Sequence, residues 1–259
     1  MKAMILAAGF GSRLRPLTDT TPKPLLPLAG RPLIEWNLHL LRRYGVIEVM
    51  INLHHLGDQI ERALGDGSRL GMRFTYSPEP VILGTGGGIK QAESFFGGES
   101  FLVVNGDTVL ELDLGAVWEF HARHGALATM VVREDPEATR WGAVEVDDKH
   151  RVVRINGQGQ GNDTGVSTVT LMFAGVHVMH PRLLQDIPVG RESSIIDAYV
   201  DSIRKGEVVL GYRMQGYWSD VGTLVRYDQT QRDVEQGCLT LHAYGGGSDA
   251  RDVGESDRL

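Results

Sequence analysis

Short apolar β-strand patterns alternate with helical patterns through the first half of the chain, and this alternation restricts the fold more than any other feature. The strand patterns cover residues 1–8, 48–53, 72–77, 101–105 and 127–133. Helical patterns cover 33–44, 56–64, 86–96 and 113–124. Several of the strands are apolar throughout, as in a parallel sheet that is buried on both faces. The alternation predicts an α/β fold with an open, mostly parallel sheet and helices on both faces.

The rhythm changes after about residue 134. A hairpin pattern covers 141–155, a polar loop 156–165 and a long strand pattern 167–179. Two further helical patterns cover 192–204 and 223–236. The end of the chain, 238–259, lacks apolar periodicity and is predicted to be a disordered tail.

Positive charge is concentrated at the start of an otherwise acidic chain. The net charge is −7, which argues against a nucleic-acid-binding protein, because such proteins usually carry a basic surface. Residues 1–31 nevertheless hold five basic residues against the single acid Asp19. The five are Lys2, Arg13, Arg15, Lys23 and Arg31. A small positive focus of this kind favours a small anionic ligand.

Cysteine content and hydropathy indicate the compartment. Cys238 is the single cysteine, so no internal disulfide can form. No apolar run approaches the roughly 18 residues of a membrane span, and the apolar stretch at the start is too short for a signal peptide. We therefore expect a cytoplasmic protein with neither a membrane nor a nucleic acid as partner. The sequence does not predict an oligomeric state.

A glycine turn with basic residues and prolines follows the first strand, in LAAGFGSRLRPLTDTTPKPLLPLAG (6–30). A dinucleotide-binding fingerprint would need a third glycine where Leu14 stands, and a P-loop would need Gly-Lys-Ser/Thr. A turn that only connects two elements remains an alternative. Glycines let backbone N–H groups approach phosphates, Arg13 offers a planar fork of donors, and Lys23 offers a compact charge. The stretch therefore indicates a polyphosphate-binding loop.

The continuation of this loop resembles the signature of the sugar-1-phosphate nucleotidyltransferases. The matching pattern is Gly9-x-Gly11-x-Arg13-x-x-Pro16-Leu17-Thr18, followed by Lys23-Pro24. The resemblance covers about residues 1–235 and implies a GT-A-like, Rossmann-type mixed sheet with a small β-rich sugar-binding part. It implies one domain over 1–237, with 1–133 mainly binding the nucleotide and 134–237 mainly binding the sugar. The activity it implies is Mg²⁺-dependent transfer of a nucleoside monophosphate from an NTP to a sugar 1-phosphate, with release of pyrophosphate.

Two aspartates follow predicted strand ends. Asp107 comes just after the strand 101–105, where Asn-Gly-Asp also suits a hairpin turn. Asp220 lies in GYWSDVGT (216–223), where it could instead cap the last helix, with Thr223 as a competing cap. In the family that the chain resembles, acids at these two places bind Mg²⁺. Two carboxylates beside substrate phosphates suit this oxygen-seeking ion.

The resemblance also implies which residues contact the substrates. Arg13, Lys23, Asp107 and Asp220 are the predicted catalytic group, with Arg13 on the departing pyrophosphate and Lys23 on the α-phosphate. The predicted nucleotide-binding residues are Leu6, Ala8, Gly9, Gly11, Ser12, Arg13, Lys23, Gly84, Thr85, Gly86, Asn105, Gly106 and Asp107. The predicted sugar-phosphate-binding residues are Gly142, Asn156 and Gly175.

The segment LGTGGGIKQA (83–92) resembles the base-binding loop of the same family. Small residues there would let a nucleobase lie against the backbone, whose polar groups can read its edge. The alternative is a plain strand-to-helix connection.

One departure from the family pattern affects the sugar side. Many relatives carry Glu-Lys-Pro after the hairpin, whereas this chain has Ile155, Asn156 and Gly157. Either Arg154 or another base takes the place of that lysine, or the acceptor is held differently.

The short chain without a hexapeptide repeat resembles the compact branch of the family, which favours UTP or GTP as donor and a role in cell-envelope polysaccharide synthesis. Two alternatives remain. A choline-phosphate-type cytidylyltransferase would need an aromatic or acidic cage. A non-catalytic, nucleotide-sugar-binding regulatory subunit would be expected to lose a phosphate or metal residue.

Overall fold

The computed structural model describes residues 1–160 and 167–239, which form fourteen strands and seven α-helices. The strands are β1 (Lys2–Leu6), β2 (Pro27–Leu28), β3 (Arg31–Pro32), β4 (Glu48–Leu53), β5 (Arg73–Pro78), β6 (Phe101–Asn105), β7 (Thr108–Leu110), β8 (Ala128–Arg133), β9 (Ala143–Asp147), β10 (Val152–Ile155), β11 (Gln158–Gly159), β12 (Thr168–Met179), β13 (Val209–Arg213) and β14 (Trp218–Asp220). The helices are α1 (Leu33–Arg43), α2 (Gly57–Leu64), α3 (Gly84–Gln91), α4 (Leu114–His124), α5 (Ala138–Trp141), α6 (Ile195–Arg204) and α7 (Leu224–Glu235).

Ten of the described strands join one mixed sheet. Its main path runs β11-β10-β9-β12-β6-β1-β4-β5, and β8 with its partner β13 joins through β12. The pairs among β6, β1, β4 and β5 are parallel, whereas β12 runs antiparallel to β6, β8 and β9. The prediction of a mixed α/β sheet is therefore confirmed, with the parallel pairing among these first strands. The long strand β12 connects them to the β-rich later part of the chain.

The two faces of the sheet bury two separate sets of apolar side chains. Ile5 and Val104 belong to a cluster with α1, α2 and α4, whereas their neighbours Met4 and Val103 belong to a cluster with α3 and α6. Because successive side chains of a strand point to opposite faces, an all-apolar strand must be covered on both sides. This explains the predicted helices on both faces of the sheet.

Most element boundaries agree with the sequence analysis, but several elements differ from it. The helix predicted at 86–96 begins earlier, at Gly84, ends at Gln91, and is followed by a 3₁₀ turn at Glu93–Phe96. Within the polar loop predicted at 156–165, Gln158–Gly159 form β11, and 161–166 lie outside the described residues. The strands β2, β3, β7, β13 and β14 and the short helix α5 were not predicted. Leu239 is buried in the core, so the predicted tail cannot begin at 238.

The remainder of that predicted tail, 240–259, lies outside the described residues. In the part of the chain that is described, no helix combines the length and the apolar character needed to cross a membrane.

The central strands make a prediction about stability. Ile51 in β4 is fully buried, whereas Ile47, just before the strand, is 41% exposed. We expect Ile51→Ala to lower the free energy of unfolding by about 2–5 kcal/mol, because it removes packed methyl groups and leaves a cavity. Ile47→Ala is the matched control and should change it by less than about 0.5 kcal/mol. Urea unfolding measures both, and equal losses would contradict this description of the core.

Candidate functional site

The loop after β1 closes around Lys23. Three 3₁₀ turns, at Ser12–Leu14, Leu17–Asp19 and Lys23–Leu25, shape it. Gly11 has a φ of 64°, and a Cβ at this position would lie 2.9 Å from Thr18 Cγ2 and 3.2 Å from Lys23 Cβ. The loop therefore needs glycine at position 11 for its own conformation and packing.

Lys23 forms an ion pair with Asp107. The distance from Lys23 Nζ to Asp107 Oδ2 is 2.7 Å, and the lysine side chain is 10% exposed. A charge-assisted contact in a partly buried position fixes both groups more firmly than an exposed pair would. The loop and the end of β6, both predicted to contact phosphate, are thus joined directly.

The turn that carries Asp107 is held from two sides. Asn37 of α1 is fully buried, and its Nδ2 donates hydrogen bonds to the carbonyl oxygens of Asn105 (3.3 Å) and Thr108 (2.9 Å). The Gly106 N–H donates to the carbonyl oxygen of Leu6, 2.9 Å away. Because β7 pairs with β14 and not with β6, the Asn-Gly-Asp stretch is not a β-hairpin.

The pairing of β7 with β14 brings Asp220 next to the turn that carries Asp107. Asp220 lies opposite Thr108 in this two-stranded sheet, and the Val221 N–H donates to the Asp107 carbonyl oxygen at 2.9 Å. The side chain of Thr223 caps α7 by accepting from the Arg226 N–H. The alternative role of Asp220 as the helix cap is therefore wrong.

Asp107, Asp220 and Arg13 line one cavity of about 180 Å³, the carboxylate cavity. Burial raises the pKa of Asp220, and the charge of Asp107 raises it further, while Lys23, Arg226 and Arg13 act in the opposite direction. The distance from Arg226 Nη1 to Asp220 Oδ2 is 3.6 Å. A buried carboxylate whose charge is disfavoured by a second carboxylate in the same cavity fits a bound cation.

A second cavity, the loop cavity, lies between the glycine loop and the start of α3. Its volume is about 240 Å³, and Asn105 and Asp107 line both this cavity and the carboxylate cavity, while Lys23 lines the loop cavity. Its lining contains most of the predicted nucleotide-binding residues, namely Leu6, Ala8, Gly9, Lys23, Gly84, Thr85, Asn105, Gly106 and Asp107. A Cβ at Gly9 would have no atom within 4 Å. Gly9 therefore leaves open space that the protein does not fill.

Two buried polar residues of the loop cavity were missed by the sequence analysis. Asn52, at the end of β4, accepts a hydrogen bond from the Ala7 N–H through Oδ1, at 2.7 Å. Its Nδ2 donates to Glu79 Oε1 at 2.7 Å, and Glu79 Oε2 accepts from the Leu83 N–H at 2.9 Å. This network connects β1, β4 and the segment before α3.

The structure corrects the interpretation of the glycine run 84–88. A Cβ at Gly86 would lie 2.9 Å from the Ser194 carbonyl carbon, and one at Gly87 would lie 2.4 Å from the Arg191 carbonyl oxygen. A Cβ at Gly88 would lie 2.7 Å from Glu79 Oε1. At these three positions, other parts of the protein occupy the space that a side chain would need. The need to leave room for a nucleobase therefore does not explain why these residues are glycine. Gly84 and Thr85 line the loop cavity, whereas Gly86 is buried.

A third cavity of about 260 Å³, the strand cavity, lies between the β-rich part and α6. Gly142 and Asn156 line it as predicted, whereas Gly175 lines the carboxylate cavity. Arg154 is held elsewhere, because its guanidinium donates from Nε to Glu145 Oε1 at 2.9 Å and from Nη2 to Glu145 Oε2. This pairing lowers the pKa of Glu145. Arg154 does not line any of the three cavities.

The three cavities form one continuous groove. Asn105 lines all of them, and Phe173 lines both the strand and the carboxylate cavities. The groove thus brings together the predicted cations, the two aspartates and the predicted sugar side. Gly11 and Ser12 do not line it, and Gly11 instead shapes the loop.

The chain matches the family model described as nucleotidyl transferase over residues 2–237. It is 41% identical to the N-acetylmuramate alpha-1-phosphate uridylyltransferase of Neisseria meningitidis serogroup B, over 89% of this chain and 97% of that protein. It is 31% identical to the mannose-1-phosphate guanylyltransferase of Mycobacterium tuberculosis, over 91% of this chain and 65% of that longer protein. The crystal structure of HddC from Yersinia pseudotuberculosis shares the fold, with a TM-score of 0.74, 24% identity and coverage of 90% and 99% of the two chains.

Gly88 packs against other protein atoms, whereas Gly9 faces open space, and the two positions should therefore respond differently to substitution by alanine. We expect Gly88→Ala to lower the free energy of unfolding by about 1–3 kcal/mol, because the new Cβ collides with the Asn52–Glu79 pair. Gly9→Ala is the control and should leave stability unchanged or raise it by up to about 1 kcal/mol, since its space is open. Chemical unfolding of both variants tests this, and a destabilised Gly9→Ala would contradict it.

Proposed function

The chain belongs to the nucleotidyl transferase family, and from that membership we propose that it transfers a nucleoside monophosphate from an NTP to a sugar 1-phosphate and releases pyrophosphate. One observation carries this proposal. Lys23, Asp107 and Asp220 come from separate parts of the chain and meet where the loop cavity joins the carboxylate cavity. A cationic loop facing paired carboxylates is suited to a polyphosphate with a bound cation.

The NTP binds in the loop cavity. Its phosphates lie along the glycine loop, where the open space at Gly9 lets them approach the backbone. Lys23 contacts the α-phosphate, and Arg13, in the adjoining carboxylate cavity, contacts the departing pyrophosphate. The donor is UTP or GTP, and UTP is the first to test because the relative that is 41% identical is a uridylyltransferase.

The sugar 1-phosphate binds from the other end of the groove. The sugar lies in the strand cavity beside Gly142 and Asn156, and its phosphate points toward Gly175 in the carboxylate cavity. This assignment divides the groove between the predicted nucleotide-binding half, 1–133, and the predicted sugar-binding half, 134–237.

The reaction requires no general base on the protein. A phosphate monoester has a second pKa of about 6, so its oxygen is already largely ionised at neutral pH. That oxygen attacks the α-phosphorus, the bond to the pyrophosphate oxygen breaks, and the electron pair leaves with pyrophosphate. The protein therefore contributes in-line positioning and neutralisation of negative charge.

Asp107 and Asp220 are the residues that would hold Mg²⁺. They share the carboxylate cavity, and burial together with the nearby charge of Asp107 disfavours the charge of Asp220. In the described part of the chain no third histidine, cysteine or acid joins them. The remaining ligands would then be phosphate oxygens and water, as is common for Mg²⁺. A bound Mg²⁺ supplies neutralisation of phosphate charge.

The two alternatives from the sequence have less support. A choline-binding cage needs several aromatic or acidic side chains, yet Phe173 and His177 are the aromatic rings among the described residues of the strand cavity, and no acid lines it. A regulatory subunit would be expected to lose a phosphate or metal residue, whereas Arg13, Lys23, Asp107 and Asp220 are all retained in one groove.

Pyrophosphate release tests the proposal as a whole. The four NTPs are each combined with several hexose, hexosamine and heptose 1-phosphates, with Mg²⁺ present. We expect release that depends on both substrates, and the pattern identifies base and sugar together. Failure of every pair to release pyrophosphate would contradict the proposed activity.

The residues at the junction of the cavities make a second test. We expect Asp107→Asn, Asp220→Asn and Lys23→Met each to lower kcat by roughly 10²–10³, the scale for losing one preorganised electrostatic group. The exposed residues Asp148 and Lys149 of the β9–β10 turn provide matched controls, as Asp148→Asn and Lys149→Met. These two variants should keep the wild-type rate. Near-wild-type turnover by Asp107→Asn would refute its assigned role.

Two further experiments test whether the protein depends on a metal ion and where it binds that ion. We expect a chelator to abolish pyrophosphate release and Mg²⁺ to restore it. Titration with Mn²⁺, followed by its electron paramagnetic resonance, should show weaker binding to Asp220→Asn by at least about tenfold, since even outer partners of metal ligands have effects of this size. Unchanged Mn²⁺ affinity in this variant would remove Asp220 from the metal site.

A further inference from the structure

The wall of the strand cavity contains a histidine with an unused hydrogen-bonding atom. His177 of β12 is 1% exposed and lines this cavity. Its Nδ1 lies 2.6 Å from the hydroxyl oxygen of Tyr199 in α6, while its Nε2 has no hydrogen-bond partner among the described residues. Buried polar atoms are rarely left unpaired, so this atom indicates a partner that the protein itself does not supply.

The contact with Tyr199 determines which nitrogen carries the proton. The Tyr199 side chain is fully buried, and His177 Nδ1 is its one hydrogen-bond partner among the described residues. Its hydroxyl must therefore donate to Nδ1, which leaves the imidazole proton on Nε2. Burial lowers the pKa of His177 to about 3, so the ring is neutral at physiological pH. His177, in the wall of the cavity, consequently carries one N–H donor that no described residue accepts.

The rest of the cavity lining defines what could accept this hydrogen bond. Its apolar members are Leu6, Val144, Ile155, Phe173, Ile195 and Ile196. Its polar members are Thr85 and Ser194, whose hydroxyl oxygens accept from the Ile195 and Ile196 N–H groups, and the uncharged amides of Asn105 and Asn156. None of the described lining residues carries a formal charge. The cavity therefore suits an uncharged group that combines an acceptor oxygen with apolar surface.

We propose that His177 Nε2–H donates a hydrogen bond to the carbonyl oxygen of an acylamino substituent on the acceptor sugar. An amide carbonyl only accepts, as the donor requires, and its alkyl group fits the surrounding aliphatic side chains. His177 is thus a specificity-determining residue. The assignment rests on the proposed function, because that function places the sugar in the strand cavity.

Nitrogen-15 NMR of the histidine side chains tests this without requiring turnover. The full chain is labelled at histidine, and the His177 signals are identified by their loss in the double variant H177F/Y199F. We expect the Nε2-protonated tautomer and a shift of the Nε2 signal on addition of N-acetylglucosamine 1-phosphate or N-acetylmuramate 1-phosphate. Protonation at Nδ1, or an equal shift with glucose 1-phosphate, would overturn the proposal.

Kinetics of the double variant gives the second readout. H177F/Y199F removes the donor and also the hydroxyl that would otherwise be buried without a partner, which favours a folded variant. We expect the ratio of kcat/KM for N-acetylglucosamine 1-phosphate to that for glucose 1-phosphate to fall about tenfold, the scale of one hydrogen bond. The KM for the NTP should not change. Equal losses with both sugars would show a packing role only and would overturn the proposal.

His121→Phe is the matched control. His121 is also a buried histidine, but both of its ring nitrogens are hydrogen-bonded, one to Ser100 and the other to Thr129. It lines none of the three cavities of the groove. This variant should keep the wild-type ratio between the two sugars. If the wild-type chain releases no pyrophosphate with any pair, the proposed function fails, whereas the NMR titration still decides the role of His177.

Discussion

The pairing of β7 with β14 is the constraint on which the site depends. It places Asp220 next to Asp107 although the two residues lie far apart in the sequence, and such a closure has an entropic cost that increases with loop length. Apolar burial offsets that cost, because Val109, Leu110 and Val221 are fully buried around the pair. A hydrogen bond from Trp218 Nε1 to the Ala174 carbonyl oxygen also attaches β14 to the main sheet. The metal site that we propose is therefore assembled by the hydrophobic core.

The charges of the groove restrain one another. Lys23 forms an ion pair with Asp107. Arg226 and Arg13 partly offset the charge of Asp220. An unpaired charge in a half-buried position is costly, so these mutual contacts keep both signs of charge at the site in the folded protein. Oriented charges that need not rearrange are what a reaction governed by positioning and neutralisation requires.

The sequence predicted the long elements because their periodicity is a local property. It missed the two- and three-residue strands β2, β3, β7 and β14, which are too short to show a period, and also the five-residue β13, which pairs with the distant strand β8. Asp107 could be found because it follows a strand in a known motif, whereas Asn52 has a similar strand-end position but belongs to no such motif. Glu79 and His177 give no local signal, because single polar residues in otherwise ordinary segments are defined by remote partners.

The glycine run shows most clearly why remote contacts matter. The Ser193 carbonyl oxygen accepts from the Gly86 N–H, and Thr85 Oγ1 accepts from the Ile195 N–H. Thr85 lines both the loop cavity and the strand cavity, so these bonds join the walls of the two cavities. Without a general base, the rate depends on holding the attacking oxygen in line with the leaving group, where small displacements are costly. In the function that we propose, a single hydrogen-bonded unit beside both substrate sites would fix their relative position, which accounts for the close approach of protein backbone to these glycines.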